Sequence, residues 1–343
     1  MKKLVSLIVA MMLALCACWS SAEETPADAL KMVLGTLSLL NMTEEERLEK
    51  EKGKLIAVKY LVEQGAYYSK MDASSMPEPG KVIFYDTLDA MLMALEAGDI
   101  DSAEVPVCVA DYLCAHNDKL STRGSFDLSN ADDFTKQVAY RLGAGFSFLT
   151  TEDKTALRDE LDQAIAEMKA DGTLDALIQS YITDAVNTEP ELVAFTKTDG
   201  ETIRVAITGV LPPMDYVAAD GTTAGFNTAL LAELGRRMNI NFELVQVDSI
   251  GRAAALASGQ VDLVFWTSGK DGRADGRKEA VERRESGQET EEQRALLQSI
   301  DGGKGTGSGR RFKDVPDGTI VTEPYFSDVL VPVMLAREAP QGK

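Results

Sequence analysis

One phrase occurs twice in this chain and constrains its fold more than any other feature. Residues 94–105 read ALEAGDIDSAEV, and residues 255–265 read ALASGQVDLVF. Their glycines, Gly98 and Gly259, are 161 positions apart, too far for a solenoid repeat and about right for two similar lobes. Each glycine stops an apolar helix at a point where a left-handed residue costs little. Each aspartate, Asp101 and Asp262, then opens a short apolar run that reads as a buried parallel strand. Two α/β lobes of one design imply a cleft between them, and such clefts hold ligands. The plainer alternative is that βα units simply share such turns.

Strands and helices alternate through the rest of the sequence, as in parallel sheets with helical crossovers. The run 31–40 is strand-like, and Asn41 to Glu46 carries an oxygen-bearing cap and first-turn acids for a helix reaching about Gly65. The spacing predicts strand 81–86, a helix ending at Gly98, strand SAEVP, helix VCVADYLCAHND and a strand near 144–149 that closes the first lobe. Residues 151–183 carry apolar positions at helical spacing on two helices, and 184–199 reads as a linker. A second lobe follows: strand TIRVAIT, loop GVLPPMDYVAADGTTAG, helix 226–238, strand NFELVQV, helix GRAAALAS and strand VDLVFW. Residues 270–312 read as a solvated, charged insertion at the cleft rim with a helix-like segment inside it, a lid or docking surface being the alternative, and 322–336 as a last strand.

Composition narrows the function. The formal charge of −20 argues against nucleic acid and against adhesion to anionic lipid. Lys2 and Lys3 precede an apolar run, 4–15, too short for a permanent span and suited to an export signal. Leu15-Cys16-Ala17-Cys18 resembles a bacterial lipobox, with Cys18 the lipidated residue, and cleavage after Ala22 is the competing reading. A single acylated terminus tethers a domain to the outside of a membrane. Cys108 and Cys114 lie on one helix, with Cα atoms roughly 9 Å apart, beyond disulfide reach. With His116 the sole histidine, a zinc site or a histidine-based triad has little to draw on. GGKGTGSG is not a phosphate loop, because Lys304 is followed by Gly305.

The phrases IRVAITGVLPPMDY, DGTTAGFNTALLAELGRRMNINFELV, the helix–Gly–Val–Asp unit and EPYFSDVLVPVM resemble family-three bacterial extracellular solute-binding proteins, the polar amino-acid receptors of ABC transporters. YDTLDAMLMALEAGDIDSAEV and LRDELDQAIAEMKADGTLDALI extend the likeness. The order differs from the family's, where the IRVAIT-like strand comes first and the LRDELDQ-like helices last. A circular permutation accounts for this, with two incomplete tandem modules as the rival. The resemblance implies a two-lobed type II periplasmic-binding-protein fold: a signal peptide 1–17, tether 18–30, smaller lobe 31–148, helices 149–183 packing on the larger lobe, linker 184–199, and larger lobe 200–343. It implies a non-enzymatic, extracytoplasmic lipoprotein without a cofactor, which hands a small polar solute to permease transmembrane subunits. A lyase or dehydratase using the same cleft is one alternative. An envelope sensor or interaction protein with a decayed pocket is another.

Ligands of open parallel sheets meet the loops beyond the strands' C-terminal ends, where helix N-termini offer N–H groups. That rule selects Asn41, Thr43, Glu104 and Pro106 in the first lobe. In the second it selects 211–216, with Leu211, Met214 and Tyr216 foremost, together with Trp266, Thr267, Ser268 and Arg273. Each has a plainer reading: Thr43 as a helix cap, Tyr216 and Trp266 as core, Arg273 as surface charge. The resemblance implies that Thr267, Ser268 and Arg273 hold a ligand carboxylate, though their spacing matches loosely. Leu211 and Met214 stand where the family has an aromatic. The family's ammonium-gripping aspartate falls at Pro106, and Glu104 shares its strand parity.

Overall fold

The computed structural model describes residues 31–37, 43–69, 78–122, 131–268, 289–300 and 315–336. The signal, Cys18, the tether, Asn41 and Arg273 lie outside the described residues, and of Ser268 only the backbone is described.

Two mostly parallel sheets, each flanked by helices, make an α/β fold. The first sheet runs β2–β1–β3–β14–β4, from β1 (Met32–Leu37), β2 (Pro79–Tyr85), β3 (Ser102–Pro106), β4 (Leu120–Ser121) and β14 (Leu330–Leu335). The second runs β10–β6–β11–β5–β12, from β5 (Ala144–Thr151), β6 (Thr202–Ile207), β10 (Asn241–Gln246), β11 (Leu263–Ser268) and β12 (Thr319–Val321). In each, the first three strands are parallel and the fourth is antiparallel, delivered from the other half of the chain. A short strand β13 (Phe326–Asp328) also pairs with β5, and β7 (Val210–Leu211), β8 (Asp215–Val217) and β9 (Thr223–Ala224) form a small third sheet.

The repeated phrase does the same work in both sheets. Helix α1 (Glu44–Ser69) follows β1, and α2 (Leu88–Ala97) ends at Gly98, whose φ is 80°. The N–H of Asp99 donates back to Ala94 O at 2.9 Å. At the second copy, Gly259 has φ 70° and Gln260 N–H donates to Ala255 O, also at 2.9 Å. A Cβ on either glycine meets nothing within 4 Å, so the demand is for the left-handed backbone rather than for space. Each aspartate then clamps the first strand of its sheet. Asp101 N–H donates to Val33 O at 2.8 Å while Val33 N–H donates to Asp101 Oδ2 at 2.7 Å. Asp262 and Arg204 repeat the exchange at 2.8 and 2.9 Å. The second clamp is reinforced by the Arg204 guanidinium and by Lys154 on the same carboxylate.

Two strands cross between the sheets, and both correct the expected lobe boundaries. The strand near 144–149 does not close the first sheet; as β5 it pairs with β11 in the second. The single strand expected over 322–336 is two: β13 stays in the second sheet and β14 enters the first. The 31–148 and 200–343 divisions therefore each misassign one strand. Helix α3 (Val107–His116) and helix α4 (Asp133–Arg141) complete the first half, the latter unforeseen. Cys108 and Cys114 on α3 are free.

The helices α5 (Thr155–Ala170) and α6 (Thr173–Ile178) pack on the second half, burying Leu161, Ile165, Met168 and Leu174 in one cluster with Ile203 and Val205. Helix α7 (Phe226–Met238) joins them, and α8 (Arg252–Ala257) covers the opposite face with Trp266. The insertion departs most from expectation. Its helix α9 (Glu291–Ile300) is seated on the first half, with Leu297 5% and Ile300 7% exposed against Ala57 of α1 and Val138 of α4. Burying two such side chains contributes about 1.5–3 kcal/mol each, which a solvated excursion would forgo.

Burial alone would raise the Asp262 carboxyl, but hydrogen bonds from Arg204 and Lys154 hold it far below the usual carboxylate range. A carboxyl depressed in the folded state stabilises fully above its unfolded pKa of about 4 and loses that contribution as pH falls. Asp262→Ala is therefore expected to cost about 3 kcal/mol in urea unfolding at pH 7, more than Asp101→Ala, and to flatten the fall in stability below about pH 4. Equal costs for the two aspartates, or an unaltered acid limb, would contradict the unequal clamps.

Candidate functional site

The loop beyond β6 folds onto itself. After β6 the backbone turns back through β7 and β8, and the buried carboxylate of Asp215 fixes the turn. Its Oδ2 accepts from Thr208 N–H at 2.9 Å, Thr208 Oγ1 at 3.0 Å and Gly209 N–H at 3.1 Å. Gly225 has φ 102°, and a Cβ there would come within 2.6 Å of Pro213 O, so glycine is required by backbone and neighbour alike. That approach lets Phe226 and Asn227 N–H donate to Pro213 O and Met214 O at 3.0 and 2.9 Å. The first amides of α7 are thus spent on the loop itself.

Three helix N-termini of the first half are also engaged. Thr43 and Glu46 form a capping box at α1: Thr43 N–H donates to Glu46 Oε2 at 2.9 Å and Glu46 N–H to Thr43 Oγ1 at 3.3 Å. Thr87 caps α2 through Ala90 N–H at 3.2 Å. At α3, Val107 N–H donates to Val329 O at 3.0 Å and Cys108 N–H to Asp328 Oδ2 at 2.8 Å. Asp328 thus supplies a carboxylate where an anionic ligand would otherwise sit. Burial, with Asp328 nearby, pushes the Cys108 thiol well up and raises the Asp111 carboxyl one turn along.

The expected site residues divide accordingly. Thr43 is an exposed cap. Met214 is 0% and Trp266 2% exposed, so both are core rather than lining. Leu211, Tyr216 and Thr267 are half-buried. The Tyr216 ring faces Tyr112 of α3 at 6.2 Å between centroids, which brings a second-half loop against a first-half helix. Ser268 pairs through its backbone with Gly145.

Glu104 is 5% exposed, on the sheet face that α1 covers. It sits opposite Thr36 and Pro332 in the register. Lys54 of α1 lies 3.8 Å from its carboxylate and donates to Thr36 Oγ1 at 2.8 Å. Burial raises the Glu104 carboxyl and lowers the Lys54 ammonium, each opposed by the other's charge. A raised buried carboxyl is the feature a lyase reading asks for, yet this one is engaged by a lysine beneath a helix.

Sequence reasoning missed two charged groups. Arg252 is 8% exposed, donates to Ser249 O and Phe265 O at 3.2 Å, and lies 5.9 Å from the Trp266 ring centroid. Burial lowers its pKa, with Asp215 opposing. An arginine leading the otherwise apolar GRAAALAS helix is the signal that could have found it. Asp328 lies inside the quoted EPYFSDVLVPVM phrase, but nothing local to it points to α3.

An α/β chain of two sheets linked by crossing strands is the class that geometry defines. Residues 203–280 match the family model for bacterial extracellular solute-binding proteins, family 3. No curated protein matches the chain. Among solved structures it is similar to a zinc-bound ligand-binding component of an ABC-type import system from Staphylococcus aureus. That match has 11% identity over 89% of this chain and 65% of the other, with TM-score 0.36. It is also similar to NikA from Staphylococcus aureus in complex with Ni(L-His)2, at 13% identity over 75% and 57%, TM-score 0.32. The BvgS VFT2 domain of Bordetella pertussis matches at 17% identity over 71% and 68%, TM-score 0.29. The chain spans 65%, 40% and 57% of the lengths of the first three structures it matches. Likenesses this loose carry neither substrate nor partner to it.

Lys54→Met strands the Glu104 charge and is expected to cost about 3–5 kcal/mol at pH 7. The double variant Lys54→Met/Glu104→Gln should recover most of that loss. Because the unpaired carboxyl's folded pKa is raised, the single variant should regain stability as pH falls toward 5. A double variant as unstable as the single one would show that packing, not charge, links the two.

Proposed function

We propose that this chain is an extracytoplasmic receptor that takes a small polar solute into the gap between its two halves and delivers it to permease subunits of an ABC importer. The observation that carries the reading is the family match over 203–280, which covers β6, α7, β10, α8 and β11, the core of one complete sheet. The same strand order in the other sheet supports a second half of like design. Closure of two such halves by hinge motion needs no chemistry. Lipidation at Cys18 would hold the receptor at the outer face of a membrane.

The solute carries a cationic group, as an amino acid does. The family's ammonium-holding carboxylate is lost at Pro106, but Asp328 supplies one beside it: Leu330 faces Pro106 in the register, and Asp328 lies on Cys108 N–H, two residues on. With Asp111 raised by burial and that neighbour, this side of the gap favours positive charge. Thermal-shift screening with amino acids, polyamines, peptides and organic acids should find stabilisation by cationic or zwitterionic solutes. Asp328→Asn should weaken the best of them by about 2 kcal/mol or more, roughly thirtyfold. Stabilisation by simple anions alone, or unchanged affinity in Asp328→Asn, would overturn the charge assignment.

The unusual chain order is a circular permutation of the family's. Residues 184–199 join α6 and its terminal turns to β6, as the fused old ends would. The opened ends also lie together. β14 is antiparallel to β3, with Val333 opposite Ala103, and Ala103 is opposite Gly35 of β1. The end of β14 and the start of β1 therefore share one edge, two strand spacings or about 10 Å apart. A rearranged chain that starts at residue 199, joins 336 to 31 by a short linker and ends at 188 should fold with similar stability and the same circular dichroism. Failure of that chain to fold cooperatively would favour tandem partial modules.

A further inference from the structure

We propose that Arg252 holds the carboxylate of a small acid-bearing solute, at a polar site beyond the C-terminal end of β6. Arg252 is 8% exposed, yet the two groups it donates to, Ser249 O and Phe265 O, are both uncharged. Among the described residues no carboxylate pairs with it, and its Nη2 has no partner. Arg158, Arg204, Arg236 and Arg237 differ: each is more exposed, and each is ion-paired to an aspartate or glutamate. A buried cation without a counter-charge carries a desolvation cost that pairing would offset. The missing partner is an anion that arrives from outside the chain.

The neighbours of Arg252 say which anion fits. Asp215 is the carboxylate that acts on it, but Asp215 Oδ2 already accepts from Thr208 N–H, Thr208 Oγ1 and Gly209 N–H. Those three bonds keep it in the turn after β6 instead of letting it close on the guanidinium. Burial, and then Asp215, push the Tyr325 hydroxyl well up, so it stays a donor and gives its hydrogen to Asn227 Oδ1 at 3.0 Å. That bond orients the Asn227 amide, which is 4% exposed, and leaves its Nδ2 as a donor with no partner among the described residues. The backbone N–H of Asn227 donates to Met214 O at 2.9 Å, which places the amide beside the same turn as Asp215. Neither Arg252 nor Asn227 has an atom among those sealed from solvent without a partner, so the spare donors open onto space that a solute can reach. The Arg252 guanidinium carbon lies 5.9 Å from the Trp266 ring centroid, and an indole at that distance steadies the cation. A charged fork with a neutral amide nearby suits a planar, two-oxygen acceptor. Asp215 close by disfavours a doubly charged anion such as sulfate, so a monocarboxylate is selected.

The proposal rests on the receptor reading for its solute, whose acid group complements the cationic end assigned to Asp328, but its test reads the site directly. The chain has two tryptophans, and Trp19→Phe leaves Trp266, beside Arg252, as the sole indole reporter. Titrating that protein with acetate and with glycine should give a saturable change in indole emission that acetamide does not produce. Arg252→Gln should weaken both acids by about tenfold or more, and Asn227→Ala by roughly threefold. Arg252→Lys keeps the charge and loses the fork, so its affinity should fall between those of the parent and the glutamine variant. It also serves as the test if Arg252→Gln does not fold. No saturable change with either acid, or acid affinities unaltered in the Arg252 variants, would overturn the site. Solutes that stabilise the protein with no dependence on Arg252 would overturn it too, while leaving the receptor reading in place. Acids that bind through Arg252 uphold the site even where no transported solute is found.

Discussion

The exchange between an aspartate and the first strand of its sheet is the interaction on which both halves depend. A left-handed glycine ends a helix, and three residues later a carboxylate ties its own strand to an earlier parallel one. Without the glycine the helix would overrun the turn. Without the aspartate the N–H of Val33 or Arg204 would lose a partner at the edge where parallel pairing begins. Register then follows, because a one-residue slip would turn Leu34 and Val205 away from their cores. The two copies differ in strength for a visible reason. Asp262 gathers Arg204 and Lys154, whereas the side chain of Asp101 is exposed and accepts from Val33.

The alternation of strand and helix was legible because each element carries its own period and its own stops. SAEVP, the TIRVAI strand and helix 226–238 appear where their apolar spacing and flanking caps put them. What a period cannot carry is the sheet a strand joins. Ala144–Thr151 and Leu330–Leu335 have the composition of any buried strand, and only long-range pairing assigns them to the half they did not start in. The same limit explains α9. Its charged residues and glycine-rich flank read as solvated, while the two apolar side chains that decide its place find their partners more than 150 residues earlier.

Site residues were less legible than elements, for a related reason. Thr43 was chosen for its oxygen, and that oxygen is consumed by Glu46. Trp266 and Met214 were chosen for their position at strand ends, but β11 continues through Trp266 and the loop carrying Met214 packs inward, so both are buried. Glu104 was chosen for parity with Pro106; parity gave the correct face, and that face lies under α1 with Lys54. Asp328 and Arg252 were missed because their roles arise from the end of β13 meeting a helix some 220 residues earlier in the chain and from a helix folded back on a neighbouring strand. Local sequence shows what a side chain can do, and topology decides what it meets.

The engaged helix N-termini bear directly on selectivity. In an open α/β sheet, free amides at these ends confer affinity for anions without any charged side chain. Here α1 and α2 are capped by threonines, α7 donates to the Pro213 and Met214 carbonyls, and α3 is met by Asp328 and Val329. The backbone field that would favour an anion is therefore largely answered from within the chain. At α3 the Asp328 carboxylate itself accepts from Cys108 N–H and Val329 N–H, and the buried guanidinium of Arg252 is held by carbonyls behind Trp266.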